Sequence, residues 1–199
     1  MRVLNLAIAA LVAALPAGAI EERPGRADAE RLASELASGQ GVGGDFALRD
    51  ARGRPRRLAD FRGKLVMLYF GFTTCPDICP TDLLAIGKAV KRLGPRAAEV
   101  QPVFVTLDPA RDTPAIIGEY TRNFHPRFVA LTGTEAEIAA VARAYKVFFE
   151  RRDLPGGLGY TIDHAANTYL LDRQGKFVTT IPPGIPADRM ARIVQGEMQ

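Results

Sequence analysis

The sequence predicts an α/β sandwich, a largely parallel β-sheet held between layers of helix. Three observations carry this. Two runs, "KLVMLYFGF" (64–72) and "VQPVFVTL" (100–107), are continuously apolar, as strands covered on both faces are. Each run is followed by a stretch whose apolar residues recur at helical spacing. And the chain, 199 residues long and 47% apolar, is large enough to close a full core.

Taken in order, "RADAERLASELASGQG" reads as a short helix, capped by Asp28 and ended by Gly39, acting as a linker or arm outside the core. Phe46, Leu48 and Leu58 alternate with polar residues, as in an edge hairpin. The first apolar run is a buried strand, and "TDLLAIGKAVKRLG" after it is a helix that begins near Cys79. The second run is a second buried strand. "TPAIIGEYTRNF" is a helix with Thr113 as its cap and Pro114 at its first position. "RFVALTG" is a third strand, and "TEAEIAAVARAYKV" a helix capped by Thr134. "NTYLLDRQGKFVTTI" is a hairpin turning at residues 173–175, and "PADRMARIVQGEM" closes the chain as a helix. Strands alternating with helices, then a hairpin and a last helix, are the order of a three-layer sandwich of the thioredoxin type. "FFERRDLPGGLGYTIDH" is a glycine-rich hairpin or loop insertion before the last strands, of a length that is either functional or mobile.

The first residues, "MRVLNLAIAALVAALPAGA", have one charge, a short apolar run, a proline and an Ala-x-Ala ending. That is an export signal, or an N-terminal membrane anchor if it stays uncleaved. No cysteine lies near it to carry a lipid, which excludes a lipoprotein. Residues 1–19 are thus read as leader, 20–41 as helical linker and 42–199 as the domain. Either leader puts the domain outside the cytoplasm, on the periplasmic side of a bacterial inner membrane, where thiols tend to oxidise. The formal charge is only +4. The densest basic cluster, "RDARGRPRR", has no aromatic interleaving and no recognition helix, so it reads as a solvated turn and not a nucleic-acid surface.

Both cysteines fall in "TTCPDICP": Cys75 in the strand-to-helix loop and Cys79 near the first helical turn, where unpaired N–H groups favour thiolate. A stapling disulfide would close so small a loop that it would remove little chain entropy. A redox couple is a second reading, although three residues separate the cysteines where thioredoxin-type enzymes have two. A metal clamp is the third, since thiolates one helical turn apart can face one ion. It needs another ligand, and the chain has two histidines. His125, in "NFHPRF", reads as a surface or capping residue. His164, in "YTIDHAAN", precedes the strand whose entry loop faces the cysteine loop in such sheets, and is either a ligand or a hydrogen-bonded structural histidine. Two thiolates and one imidazole suit Cu(I), or Cu(II) with an added oxygen, better than a closed four-ligand zinc site.

With "GGDFALRD", "DFRGKLVMLYFGFTTCPDICP", "VTLDPARDTP", "LTGT" and "YTIDHAANTYLLD" in this order, the chain resembles the Sco (SenC) family of copper-binding, thioredoxin-fold assembly proteins. The resemblance implies copper ligation by Cys75, Cys79 and His164. It also implies delivery of copper to the binuclear site of cytochrome c oxidase subunit II, or reduction of that subunit's cysteines, with an upstream copper donor. Around the ligands, Asp163, Asp77, Asp108 and Asp112 are the candidates for a supporting shell. Asp108 and Thr113 also read as the strand end and helix cap of "LDPARDTP". Two functions share the cysteines: a copper chaperone, which needs His164, and a thiol–disulfide reductase, which does not. Oxidation of the Cys75–Cys79 pair would switch metal binding off.

Overall fold

A computed structural model describes residues 30–31, 34–36, 38–157 and 159–199. The expected leader lies outside them, as does the Asp28 cap. The described residues between 30 and 38 are helical and end in a turn at Gly39, which has a φ of +69°. This arm lies on the domain: Leu36 packs against the core and Glu35 pairs with Lys146 at 3.3 Å.

Among the described residues nine strands form two sheets. The larger has seven strands in the order β2-β1-β5-β4-β3-β8-β9. Its centre is β3 (Leu65–Gly71) and β4 (Val100–Thr106), parallel and wholly buried. Beside them run parallel β5 (Val129–Thr132) and, on the other flank, antiparallel β8 (Thr168–Leu171). The edges are the hairpin β1 (Ala47–Asp50) with β2 (Pro55–Arg57), and β9 (Phe177–Ile181). The arginine cluster is the turn of the first hairpin, drawn around buried Asp50: Arg54 and Arg56 both donate to its carboxylate.

The four helices expected within the domain are present: α1 (Ile78–Arg92), α2 (Pro114–Arg122), α3 (Glu135–Ala144) and α4 (Ala187–Gly196). Thr113 caps α2, and Thr134 with Glu137 forms a capping box on α3. One parallel crossover after another moves in the same direction across the sheet, from β3 through α1 to β4 and through α2 to β5. Right-handed crossovers therefore leave α1 and α2 on one face. There α1 also packs on α4, and a Cβ at Gly87 of α1 would strike the Phe124 carbonyl just beyond α2. On the opposite face Phe70, Tyr145, Tyr169 and Phe177 form a chain of ring contacts. This is the thioredoxin-like three-layer sandwich.

The insertion is ordered as its own two-stranded sheet, β6 (Phe149–Asp153) and β7 (Tyr160–His164), turning through residues 155–157. Four of the five β6 residues are charged, in "FERRD", so no apolar alternation marks the strand in the sequence.

Candidate metal centre

β3 ends at Gly71, still buried, and the chain first reaches the surface at Thr73 and Thr74. Residues 72–77 then turn, and α1 starts at Ile78. Cys75 therefore sits in the loop, half-buried, and Cys79 in the first helical turn, fully buried. The passage is tight. A Cβ at Gly71 would lie 2.9 Å from the Cys79 sulfur and 3.0 Å from the Tyr69 ring, so this position has room for hydrogen only. Both cysteines are free thiols.

β7 brings the third group. His164 ends that strand, and its Nε2 lies 3.4 Å from the Cys79 Sγ. Its Nδ1 lies 3.1 Å from the Ala165 carbonyl oxygen. A carbonyl can only accept, so Nδ1 carries a proton toward it, and Nε2 is the nitrogen that faces the sulfurs. The imidazole also packs edge-on against Phe72, with centroids 5.8 Å apart. The two sulfurs and a histidine nitrogen all lie within 4.8 Å of one another, and no carboxylate joins this group among the described residues.

The two thiols are unequal. Cys75 is held down to about 3, chiefly because its sulfur accepts a hydrogen bond from Cys79; His164 and the N–H groups of Asp77 and Cys79 add to this against the effect of burial. Cys79 is pushed up, first as the donor in that same bond and then by burial. The pair thus holds one thiolate, at the accessible position, and one buried S–H. Two soft sulfurs and an imidazole fit a thiophilic ion of low coordination number, and Cys75 and His164 are only partly buried.

The four expected supporting carboxylates have different surroundings. Asp163 precedes His164 on the strand and so faces the other way, into an ion pair with Arg152 at 2.8 Å. Asp77 is the helix N-cap residue, but it works through its carbonyl, which accepts from the Thr81 N–H and hydroxyl, and its carboxylate makes no cap bond. Asp112 is buried and accepts from the Thr73 N–H at 3.0 Å and from the hydroxyls of Thr73 and Thr106. Asp108 is buried, accepts from the Tyr160 hydroxyl at 2.7 Å and pairs with Arg111. His125 is remote from the group, and its Nδ1 accepts from the Arg127 N–H at 3.2 Å.

Sequence reasoning missed Asp82 and Tyr69. Asp82, one turn beyond Cys79, is 2% exposed; it accepts from the Gly184 N–H at 2.8 Å and from the Tyr69 hydroxyl at 3.3 Å. Burial raises its pKa, and the Gly184 and Tyr69 hydrogen bonds act against that. The signal was present: an aspartate on the apolar face of α1, three residues after Cys79 and next to Leu83.

A family model described as SCO1/SenC matches residues 34–199. The mitochondrial SCO2 homolog of Bos taurus is 43% identical over 157 residues, which are 78% of this chain and 59% of that protein. The SCO2-like protein of Rickettsia prowazekii is 41% identical over 157 residues, 78% of this chain and 77% of the relative. Among solved structures, Bradyrhizobium japonicum ScoI with copper bound superposes with a TM-score of 0.73 at 36% identity, covering 79% of this chain and 99% of that one.

Proposed function

The chain belongs to the SCO1/SenC family, and from that membership we propose that it carries copper as cargo, held by Cys75, Cys79 and His164. The observation that carries this reading is the convergence of three soft donor atoms within 4.8 Å in a chain related to a copper-bound ScoI. Cys75, already a thiolate and half-exposed, is the capture point. Cys79 releases its proton to solvent as it binds, and the Nε2 of His164 completes the set. Release is the reverse, by stepwise replacement of these ligands with those of an acceptor. The acceptor we propose is the binuclear copper site of cytochrome c oxidase subunit II, on the periplasmic side of the inner membrane.

Anaerobic Cu(I) competition titration of the reduced chain, wild type beside His164→Ala, tests this. One tightly bound copper, with affinity at least about tenfold lower in the variant (about 1.4 kcal/mol), is expected. Equal binding by both removes His164 from the site and the carrier reading with it. Loss of copper to the subunit II domain, followed by the absorbance of its filled site, tests the acceptor.

The inequality of the thiols supports a second reading, a thiol–disulfide reductase. The Cys75 thiolate would attack a target disulfide, forming a mixed disulfide and expelling one target thiolate, which takes a proton. Cys79 would lose its own proton, attack the Cys75 sulfur and expel the second target thiolate. The chain ends as the Cys75–Cys79 disulfide, having given two electrons to the target. His164→Ala keeps both thiols and so should retain most of this activity, with Cys75 less acidic, while it impairs copper binding, so one variant separates the two readings.

A further inference from the structure

The stretch from Asp108 to Asp112, between β4 and α2, touches neither cysteine nor His164, yet it grips both arms of the site. On one side the buried Asp112 carboxylate accepts from the Thr73 N–H and hydroxyl, two residues before Cys75. On the other, buried Asp108 accepts from the hydroxyl of Tyr160, four residues before His164 on β7. Arg111 reinforces the second grip. It pairs with Asp108, donates to the Tyr160 carbonyl at 2.9 Å and lays its guanidinium 3.8 Å from the centroid of the Tyr160 ring. Arg151 of β6 stacks on the same ring, also at 3.8 Å.

The hairpin needs such a hold. A lone two-stranded sheet is marginal in water, and β6 and β7 pair only with each other. Ile162 is their one residue in the buried core. Tyr160 is therefore the second anchor on the strand that ends in His164, and its partner is the loop that also holds the cysteine segment.

We propose that Asp108–Asp112 is a clamp that fixes the β6–β7 hairpin against the cysteine loop, with Tyr160 as the positioning residue that sets His164 at ligating distance before any metal arrives. The effect on copper rests on the carrier reading; the hold on the hairpin does not. Preorganisation of this kind raises affinity by removing the cost of ordering a ligand during binding.

The test uses the full chain with Tyr160→Phe, which removes only the hydroxyl, and Asp108→Asn, each with His164 intact and with His164→Ala. In metal-free protein, amide hydrogen exchange across 149–164 should rise by about threefold or more in Tyr160→Phe while the β3 and β4 amides keep their protection. Cu(I) affinity should fall about threefold to tenfold where His164 is present and less than about twofold where it is absent, since the clamp acts through His164. Unchanged hairpin exchange in both variants overturns the clamp. So does an equal loss of affinity with and without His164, which would mark a general structural role. If His164→Ala alone leaves copper binding intact, the carrier reading falls, and hydrogen exchange still decides the clamp.

Discussion

The Nε2 of His164 lies 3.4 Å from the Sγ of Cys79, although 85 residues separate them in the chain. The contact joins the last residue of a strand in the hairpin to the first turn of α1. Nδ1 faces the Ala165 carbonyl, so Nε2 is the nitrogen turned to the sulfurs, and the Cys79 S–H, donated to the Cys75 sulfur, lies beside it. The site therefore stores a proton where an ion must sit, and binding is an exchange of that proton for metal.

Copper affinity should accordingly rise with pH, by one proton and not two. Cys75, held at about 3 mainly by the Cys79 hydrogen bond, is ionised throughout the neutral range. Cys79, pushed up by donating that bond and by burial, is not. Between about pH 7 and pH 9, log K for Cu(I) should climb about one unit per pH unit. Competition titrations across that range measure the slope, and a slope near two would show that Cys75 is protonated as well.

Gly71→Ala should damage the site without touching a ligand. The new methyl would meet the Cys79 sulfur at 2.9 Å and the Phe104 ring at 3.3 Å, with the Tyr69 ring on a third side. All three neighbours are fully buried and cannot give way cheaply. We expect a loss of about 1–3 kcal/mol in urea unfolding, as for other overpacked cores, together with copper affinity lowered by about tenfold or more. A variant of wild-type stability and affinity would show that Cys79 has slack.

Most of the fold was legible because its signals are local. Continuous apolar runs marked β3 and β4, and threonine caps marked the starts of α2 and α3. In the site, the spacing of Cys75 and Cys79 was readable, and His164 was placed by strand order. The β6–β7 insertion was read only as a hairpin or loop, without strand bounds, since "FERRD" shows no apolar alternation and pairs only with β7. The roles of Asp108 and Asp112 were not readable either. Both act on residues brought near only by folding: Asp108 on Tyr160, 52 positions on, and Asp112 on Thr73, 39 positions back. Asp82 was passed over because a helix periodicity reading registers its apolar neighbours and not the buried carboxylate among them.

Tyr169→Phe should stabilise the protein. The side chain is fully buried among Phe70, Tyr145 and Phe177, and its hydroxyl has no hydrogen-bond partner among the described residues. Burial alone pushes its pKa up to about 12. Phenylalanine keeps the ring contacts and removes an unsatisfied polar atom, a gain of about 1 kcal/mol. Thermal and urea unfolding would show it as a higher midpoint, whereas a lower midpoint would mean that the hydroxyl has a partner in solution.

Asp50 should make the arginine turn a source of acid sensitivity. Burial alone would raise its pKa, but hydrogen bonds from the Arg54 and Arg56 side chains and from the Arg52 and Arg54 N–H groups outweigh it and hold the carboxyl at about 2, below its ordinary 3.8. A folded-state pKa below the unfolded one means stabilisation that is complete above about pH 4 and lost as pH falls through 2. The shift corresponds to about 2 kcal/mol at neutral pH. Asp50→Asn keeps the size of the side chain and removes the charge, taking the counter-ion from Arg54 and leaving Arg56 with Asp60 alone, at 4.0 Å. Urea unfolding at pH 7 should show the variant less stable by about that amount, and the gap between the two proteins should close as the pH falls below 3. A gap that stays constant across this range would assign the cost to lost hydrogen-bond geometry and not to the charge.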